Sequence, residues 1–397
     1  MDHAPAFKVK PFLAAWCLCF LVMVSAGVLF LRSRAPLDFQ SFYTAGYQLR
    51  THPSQLYDLS EQARLQREFA GTRGYLPFYH PAFETLLFLP FSLLSYHAAY
   101  FCFLAFSMLL LLAGFFACRT AFSSLPMRWG LRPEWIFLFF PMLLALALGQ
   151  DSVLSLVLYC LVWRQLESAK DVSAGCLLAL ALFKFQFAIP VAVLIAIRRG
   201  WRFCAGFLVT AVAAGLTSIA IVGIAGTEKY IHVLTGAASA IDKSAAAQQG
   251  LNVFPQSMPN LTGLLYAAGG RYIQPAILFH LLTSACALGL FLWCALAVRR
   301  RGQRAFFSIA VLWSMVVSYH LYFYDLTLSI LPAALLTGKV HRAIVIVWFV
   351  LPALLFGLGS DWYFLMALPM LAMLLNALVS PLGTASQAPE TTRATAV

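Results

Sequence analysis

The chain has 397 residues, of which 61% are hydrophobic and only 11% are charged. Soluble globular domains carry about 25% charged residues, so water cannot be the solvent for most of this chain. The composition requires a lipid bilayer, and it predicts an all-α polytopic membrane protein because helices satisfy their own backbone hydrogen bonds. The net charge of +12 does not indicate nucleic-acid binding, since no basic stripe with interleaved aromatic residues lies in a polar segment.

Apolar segments of helical length recur along the whole chain. They predict about 12 transmembrane helices, several of them short for a hydrocarbon core about 30 Å thick. The predicted spans are 11–31, 97–118, 134–148, 151–164, 172–184, 186–197, 203–225, 273–298, 305–319, 322–338, 341–358 and 361–380. The short, paired spans between 134 and 197 indicate connecting turns that lie below the membrane surface, beside a cavity.

Basic residues mark every second short connector, and this pattern sets the predicted orientation. The connectors that contain several lysine or arginine residues are 119–132, 164–170, 198–202, 299–304 and 339–342. In the short connectors on the other side, Lys184 is the one lysine or arginine. The positive-inside rule then predicts cytoplasmic N- and C-termini. We expect one integral domain over 1–383 in the plasma or inner membrane, and a disordered cytoplasmic tail over 384–397.

Two long segments, 32–96 and 226–272, fall on the predicted outer side. The first contains a polar helical stretch at 60–69 and a proline-punctuated apolar stretch at 81–96. We interpret the apolar stretch as a helix that lies in the membrane interface or dips part-way into the membrane, and 258–268 as a second such helix. The nine cysteines fall within or beside apolar segments, without a CxxC pair, which favours roles as small buried residues.

Polar residues interrupt the apolar pattern at the predicted outer ends of the spans. Such groups are costly in a membrane and tend to mark function. The interrupting residues are Asp38, Gln150, Asp151, Lys184, Gln186, Gln256, Asn260, His320, Tyr322, Tyr324, Asp325 and Asp361. Because they come from separate turns on one side, they predict a concave site at the outer face. For any one of them, simple contact with outer water is the alternative.

These residue types suit a particular chemistry. An aspartate can act as a general base towards a sugar hydroxyl, and a lysine can hold a phosphate. Aromatic residues, dense in the first outer segment, can hold an apolar tail or a sugar face. Together they suit sugar transfer from a lipid-phosphate donor that lies in the membrane. No HExxH zinc spacing or Walker loop occurs, so we expect neither a metal nor a cofactor.

Several short motifs follow one another in a characteristic order. They are DFQSFYTA at 38–45, YHP at 79–81, GQDS at 149–152, KFQ at 184–186 and the stretch 252–264. Their order and spacing resemble glycosyltransferase family 87, the polyprenyl-phosphate-mannose-dependent mannosyltransferases and their relatives. The resemblance implies a GT-C fold, a polyprenyl-phosphate-linked sugar donor, a glycan or glycolipid acceptor, inversion at the anomeric carbon, and an active site on the periplasmic or extracellular side.

The resemblance also implies roles for individual residues. Asp38 is expected to be the catalytic base and Lys184 to bind the donor phosphate. The other candidate substrate-binding residues are Gln150, Gln186, Tyr43, Tyr79, His80, Gln256, Asn260, His320 and Asp325. Phe39, and not a second acidic residue, follows Asp38, which argues against a metal-assisted variant. His80 departs from the commoner tyrosine-proline-proline pattern of the family.

Two other function classes fit the span count. A transporter or flippase for a lipid-linked sugar or another solute would explain the polar groups within the membrane. It would also favour two related halves with matching interrupted helices, which the sequence lacks. A non-catalytic scaffold for a polymer-ligating partner is the third alternative, and it predicts no loss of glycan when Asp38 is changed.

Overall fold

The computed structural model describes residues 9–34, 37–72, 74–122, 133–239, 254–336 and 340–379. Within these ranges the chain is helical and contains no β-strand. The α-helices are α1 Val9–Ser33, α2 Phe39–Thr51, α3 Leu59–Ala70, α4 Thr85–Phe88, α5 Tyr96–Ala117, α6 Arg119–Phe122, α7 Phe140–Leu148, α8 Ser152–Glu167, α9 Asp171–Leu180, α10 Phe185–Arg199, α11 Trp201–Ser239, α12 Leu261–Ala267, α13 Ala276–Val298, α14 Gln303–Val317, α15 Ile330–Leu335, α16 Arg342–Leu358 and α17 Ala367–Val379. The predicted tail over 384–397 lies outside the described residues.

Short 3₁₀ helices extend or connect several α-helices. They are Pro53–Gln55, Ala82–Glu84, Phe91–Leu93, Pro133–Leu138, Ala181–Lys184, Pro255–Ser257, Gly270–Tyr272, Phe323–Ser329 and Ser360–Met366. Each of the predicted apolar spans coincides with one or two of these helical elements. The helices α7 and α8, and α9 and α10, are short, as their segment lengths predict.

Six helical stretches in the described ranges are long and apolar enough to cross a membrane. They are Val9–Ser33, Tyr96–Ala117, Asp171–Arg199, Trp201–Thr235, Ala276–Val298 and Ser360–Val379. Three shorter apolar stretches, Gln303–Val317, Phe323–Leu335 and Arg342–Leu358, lie beside them. The chain is therefore an all-helical membrane protein, and the number of spans above six stays a prediction.

The stretch from Asp171 to Arg199 is a helical hairpin. A straight helix of its 29 residues would be about 43 Å long. Its two ends nevertheless meet, because Arg199 Nε lies 3.6 Å from Asp171 Oδ1. The backbone turns at Lys184, whose φ of −110° and ψ of 62° break the helix between α9 and α10. Lys184 is thus the tip of the hairpin.

Arginine side chains hold the opposite end of the bundle together. They donate hydrogen bonds to carbonyl oxygens at the carboxyl ends of neighbouring helices, where backbone acceptors have no partner within the helix. The bonds run from Arg164 Nη1 to Ala117 O at 3.0 Å, from Arg199 Nη2 to Leu166 O at 2.8 Å, from Arg198 Nη1 to Val298 O and Arg301 O at 2.5 Å each, and from Arg301 Nη2 to Leu378 O. The arginines of the predicted cytoplasmic connectors therefore gather at one end.

The first outer segment folds onto the bundle through α2 and α3. The helix α2 is polar yet largely buried, because its glutamines have hydrogen-bond partners. Gln40 Nε2 donates to Gln66 Oε1 at 3.0 Å, which joins α2 to α3. The predicted polar helix at 60–69 is confirmed as α3. The stretch 81–96 consists of two 3₁₀ turns and α4, a more broken path than the single interfacial helix that we predicted.

Close packing of α9 against α11 depends on glycine. A methyl group at Gly206 would overlap the backbone oxygen of Val172, and one at Gly175 would overlap the backbone oxygen of Phe203. Small residues that allow backbones to approach are a common basis of helix association in membranes. The contact fixes the hairpin, and with it Lys184, against the long helix α11.

We expect Gly206→Ala to lower the free energy of unfolding by about 1–3 kcal/mol, because the added methyl overpacks this contact. Thermal unfolding in detergent would measure the change. Gly215→Ala in the same helix is the matched control, since no neighbouring atom lies within 4 Å of its Cβ position. Equal melting temperatures for the two variants would contradict the role given to this contact.

Candidate active site

A cavity of about 240 Å³ lies at the end of the bundle that holds Lys184. Eight of the predicted site residues line it: Asp38, Tyr79, His80, Gln150, Lys184, Gln186, His320 and Asp325. They come from the start of α2, the segment before α4, the α7–α8 turn, the hairpin tip and the segment after α14. Asp38 and Lys184, which the sequence predicted to meet, therefore face one cavity.

Asp38 occupies the N-cap position of α2, but its carboxylate does not cap that helix. Instead it accepts a hydrogen bond from the side chain of Gln150. Burial raises the pKa of Asp38 to about 6, against the opposing effects of the Gln150 hydrogen bond and the Lys184 charge. A carboxylate with a pKa near neutrality is a stronger base than an exposed one and is still ionised at pH 7.

Lys184 is the centre of a buried ion cluster. Its Nζ lies 2.8 Å from Asp151 Oδ1 and 2.5 Å from Asp325 Oδ1, and it donates to Ser152 Oγ at 2.6 Å. Ser152 Oγ in turn donates to Asp325 Oδ1 at 2.7 Å. Ser152 and Asp325 accept hydrogen bonds from the ammonium group, and Asp151 is its ion-pair partner, so three oxygen atoms surround Nζ. The ring of Tyr324 lies 5.4 Å from Nζ on another side.

The turn between α7 and α8 places Gln150 at the cavity and Asp151 beside Lys184. Gly149 ends α7 with a φ of 68°, and the backbone N–H of Gln150 donates to Ala145 O at 2.8 Å. This is a Schellman-type helix end, which favours glycine at the left-handed position. A Cβ atom at Gly149 would also lie 2.6 Å from Phe39 Cβ, so the turn rests directly on the start of α2.

A second cluster joins His80, Glu84 and Asp151. His80 Nδ1 lies 2.7 Å from Glu84 Oε2 and 3.3 Å from Asp151 Oδ2. Burial by itself would lower the pKa of His80, but the charges of Glu84 and Asp151 outweigh it and raise the pKa. Burial raises the pKa of Glu84 to about 7. Asp151 is thus shared between this cluster and Lys184.

Aromatic rings form another wall of the cavity. His320 and Tyr322 are in edge-to-face contact at 4.3 Å, and Tyr322 and Tyr324 lie 5.4 Å apart. Burial lowers the pKa of His320 to about 4, so its imidazole is neutral at pH 7. Its buried Nε2 has no hydrogen-bond partner among the described residues. Rings and a neutral imidazole suit contact with a sugar.

Three predicted site residues are not among those that line the cavity. Tyr43 is buried, and its hydroxyl donates to Leu94 O at 2.8 Å. Asn260 Nδ2 donates to Ser318 O at 2.6 Å, and Asn260 Oδ1 accepts from Gly263 N at 3.0 Å. Asn260 therefore positions the segment before His320 instead of lining the cavity. Gln256 lies in the 3₁₀ turn Pro255–Ser257 and does not line the cavity.

The structure also brings in residues that were given no catalytic or substrate-binding role from the sequence, although Asp151, Tyr322 and Tyr324 were expected at the outer face. Glu84 and Asp151 join the ion clusters, and Tyr319, Tyr322 and Tyr324 line the cavity. The i, i+4 spacing of His80 and Glu84 is a signal that could have found Glu84. The Tyr319–Asp325 segment, with its run of aromatic and ionisable residues between two apolar spans, was a signal for the tyrosines.

The fold and the cavity together define a polytopic membrane protein with a buried, ionisable site. The family model of glycosyltransferase family 87 matches residues 78–323, more than half of the chain, and the chain belongs to this family. It is therefore a membrane glycosyltransferase. No curated protein and no solved structure matches the chain significantly. Asp38 lies outside the matched residues, so its role is argued from the site itself.

Proposed function

We propose that this membrane glycosyltransferase moves a sugar, mannose or another hexose or pentose, from a polyprenyl-phosphate donor to an acceptor hydroxyl at the outer face of the cell membrane. The acceptor is a glycan or glycolipid. One observation carries the proposal: Asp38, held by Gln150, shares a single cavity with Lys184 and a wall of aromatic rings in a family 87 chain.

The proposed reaction uses Asp38 as general base. The Asp38 carboxylate takes the proton of the acceptor hydroxyl while the hydroxyl oxygen attacks the anomeric carbon. The bond from that carbon to the phosphate oxygen breaks, and the polyprenyl phosphate leaves with the bonding electrons. Attack opposite the leaving group inverts the anomeric centre. Positioning of the two substrates accounts for most of the remaining rate enhancement.

In this proposal Lys184 is not the main ligand of the donor phosphate, which is the role expected from the sequence. Its ammonium group already contacts oxygen atoms of Asp151, Ser152 and Asp325, so a phosphate would have to compete with these partners for Nζ. We infer that Lys184 chiefly holds the two carboxylates in place. Gln186 and the unpartnered Nε2 of His320 line the same cavity and are the groups free to contact the donor.

The donor lipid can approach the cavity from the bilayer. The largely exposed apolar helix α11 is broken at Gly223, and Leu234, in the part after the break, lines the cavity wall. A polyprenyl chain lying along such a helix would place its phosphate at the cavity, while the acceptor arrives from water.

The direct test incubates the purified full-length protein in detergent with a panel of synthetic polyprenyl-phosphate sugars. We expect one donor to be consumed, with release of polyprenyl phosphate and formation of a new glycoside in the presence of acceptor. A protein that moves such lipids across liposomes, yet breaks down no donor sugar bond, would overturn the proposal in favour of a flippase.

The pKa of Asp38 predicts the acid side of the pH profile. Below about pH 6, protonated Asp38 cannot accept a proton, so we expect kcat/KM to fall tenfold per pH unit. Gln150→Leu removes a hydrogen bond that lowers this pKa, so its acid limb should move to higher pH. Gln55→Leu, on an exposed residue outside the cavity, is the control. An acid limb that does not move in Gln150→Leu would contradict the assignment.

A further inference from the structure

We propose that His80, Glu84 and Asp151 bind one divalent cation, of the Mn²⁺ or Zn²⁺ type, in the wall of the cavity. One imidazole nitrogen with two carboxylate oxygens is a donor set that such borderline cations accept. The sequence predicted no metal, because no local motif contains this set. Asp151 is distant from the other two residues in the chain and joins them only in the fold.

The distances suit one ion. The three candidate donor atoms all lie within 4.8 Å of one another. His80 Nδ1 is 2.7 Å from Glu84 Oε2 and 3.3 Å from Asp151 Oδ2. Both carboxylate oxygens lie close to the same ring nitrogen, so the three candidate donor atoms are gathered around one point. A cation placed among them at about 2.0–2.2 Å from each donor would need only a small outward movement of the side chains.

Glu84 supplies an independent observation. The residue is 3% exposed, and its Oε2 is paired with His80 Nδ1 at 2.7 Å, whereas its Oε1 has no hydrogen-bond donor in the part of the chain that the structure describes. Buried carboxylates are normally hydrogen-bonded, paired with a charge, or bound to a metal. The side chain points into the cluster, with its Oε2 nearest to His80.

Neighbouring groups hold these side chains in place, as outer contacts do at metal sites. The His80 ring lies against Phe42 at 5.5 Å and Phe78 at 5.6 Å. The turn that carries Glu84 is anchored by the hydrogen bond from Phe83 N to Ser218 Oγ at 3.0 Å. Asp151 is fixed by Lys184, which leaves its Oδ2 directed at His80.

The charge balance of the site indicates what a bound cation would do. The site holds four carboxylates, those of Asp38, Glu84, Asp151 and Asp325, against the ammonium group of Lys184 and the imidazole of His80. An anionic phosphate would be repelled by this surplus, whereas a bound divalent cation would offset it. This charge argument, unlike the geometry, rests on the phosphate donor proposed above.

The test measures cation binding without any donor. Wild-type protein is treated with EDTA, desalted and titrated with Mn²⁺ while the electron paramagnetic resonance signal of free Mn²⁺ is followed. We expect one bound Mn²⁺ per chain, binding at least tenfold weaker in Glu84→Gln and Asp151→Asn, and a wild-type melting temperature that rises with Mn²⁺. Glu68→Gln, on an exposed glutamate of α3, is the matched control and should bind as the wild type does.

Two results would overturn the site. One is the absence of stoichiometric Mn²⁺ and Zn²⁺ binding by the folded wild-type protein, which would leave a protonated His80 as the partner of both carboxylates. The other is equal affinity in wild type and in a Glu84→Gln variant that elutes and melts as a folded protein. Stoichiometric binding by a protein that consumes no polyprenyl-phosphate sugar would support the cation site while refuting the proposed reaction.

Discussion

Asp38→Asn is expected to lower the rate of sugar transfer by about 10³-fold, because general base catalysis contributes roughly 10²–10⁴-fold. An asparagine amide cannot accept the proton of the acceptor hydroxyl, yet it keeps the size of the side chain and a hydrogen-bonding contact with Gln150. The fold should therefore persist. Initial rates of glycoside formation with purified protein, at saturating donor and acceptor, would measure the loss in kcat.

Asp58→Asn is the matched control for this experiment. Asp58 lies in the same outer segment, but it caps α3 through Ser60 and Glu61 and does not line the cavity. It should retain the wild-type rate. If Asp38→Asn were correctly inserted and transferred sugar as fast as wild type, Asp38 would not be the base.

Lys184→Met is expected to cause the largest loss of stability, about 3–5 kcal/mol, because it leaves two buried carboxylates without their shared cation. Asp151 and Asp325 are each less than 2% exposed. The second variant, Lys184→Met combined with Asp325→Asn, removes one of the two unpaired buried carboxylates. It should recover part of the lost free energy of unfolding. Thermal or denaturant unfolding in detergent would measure both variants.

The exposed Lys229 on α11 provides the control, since Lys229→Met removes an ammonium group without stranding a buried carboxylate. Its melting temperature should match that of the wild type. A similarly small effect for Lys184→Met, or a double variant less stable than the single one, would contradict the ion cluster around Lys184.

Much of the helical framework could be predicted because the lipid solvent imposes a simple pattern. Apolar length and alternating basic connectors located the helices, including the short pair that meets at Lys184. The bend at Lys184 was readable because a lysine in a long apolar stretch is costly unless it lies at a turn or has partners. The broken path of 81–96 was not readable, since it depends on how its prolines pack against α2 and α11.

The site could be predicted only in part. Asp38, Gln150 and Lys184 were found because each stands at the end of an apolar segment, where a polar group is conspicuous. Asp151 and Asp325 as joint partners of Lys184 were not found, because ion pairing between distant turns is a property of the packed bundle. Tyr43 and Asn260 show the reverse: each is a polar residue in a suggestive motif whose hydrogen bonds serve the fold.

The contact between Gly149 and Phe39 has a mechanical consequence. The proposed base sits at the start of α2, and the ionic partners of Lys184 begin at the turn after α7, with no space left between the two backbones. Because of this contact, a displacement of either element would displace the other, so we expect the spacing between Asp38 and the α7–α8 turn to be fixed. We therefore expect the movement that admits a bulky acceptor or releases the spent carrier to involve the segment from Tyr319 to Tyr324, which also lines the cavity.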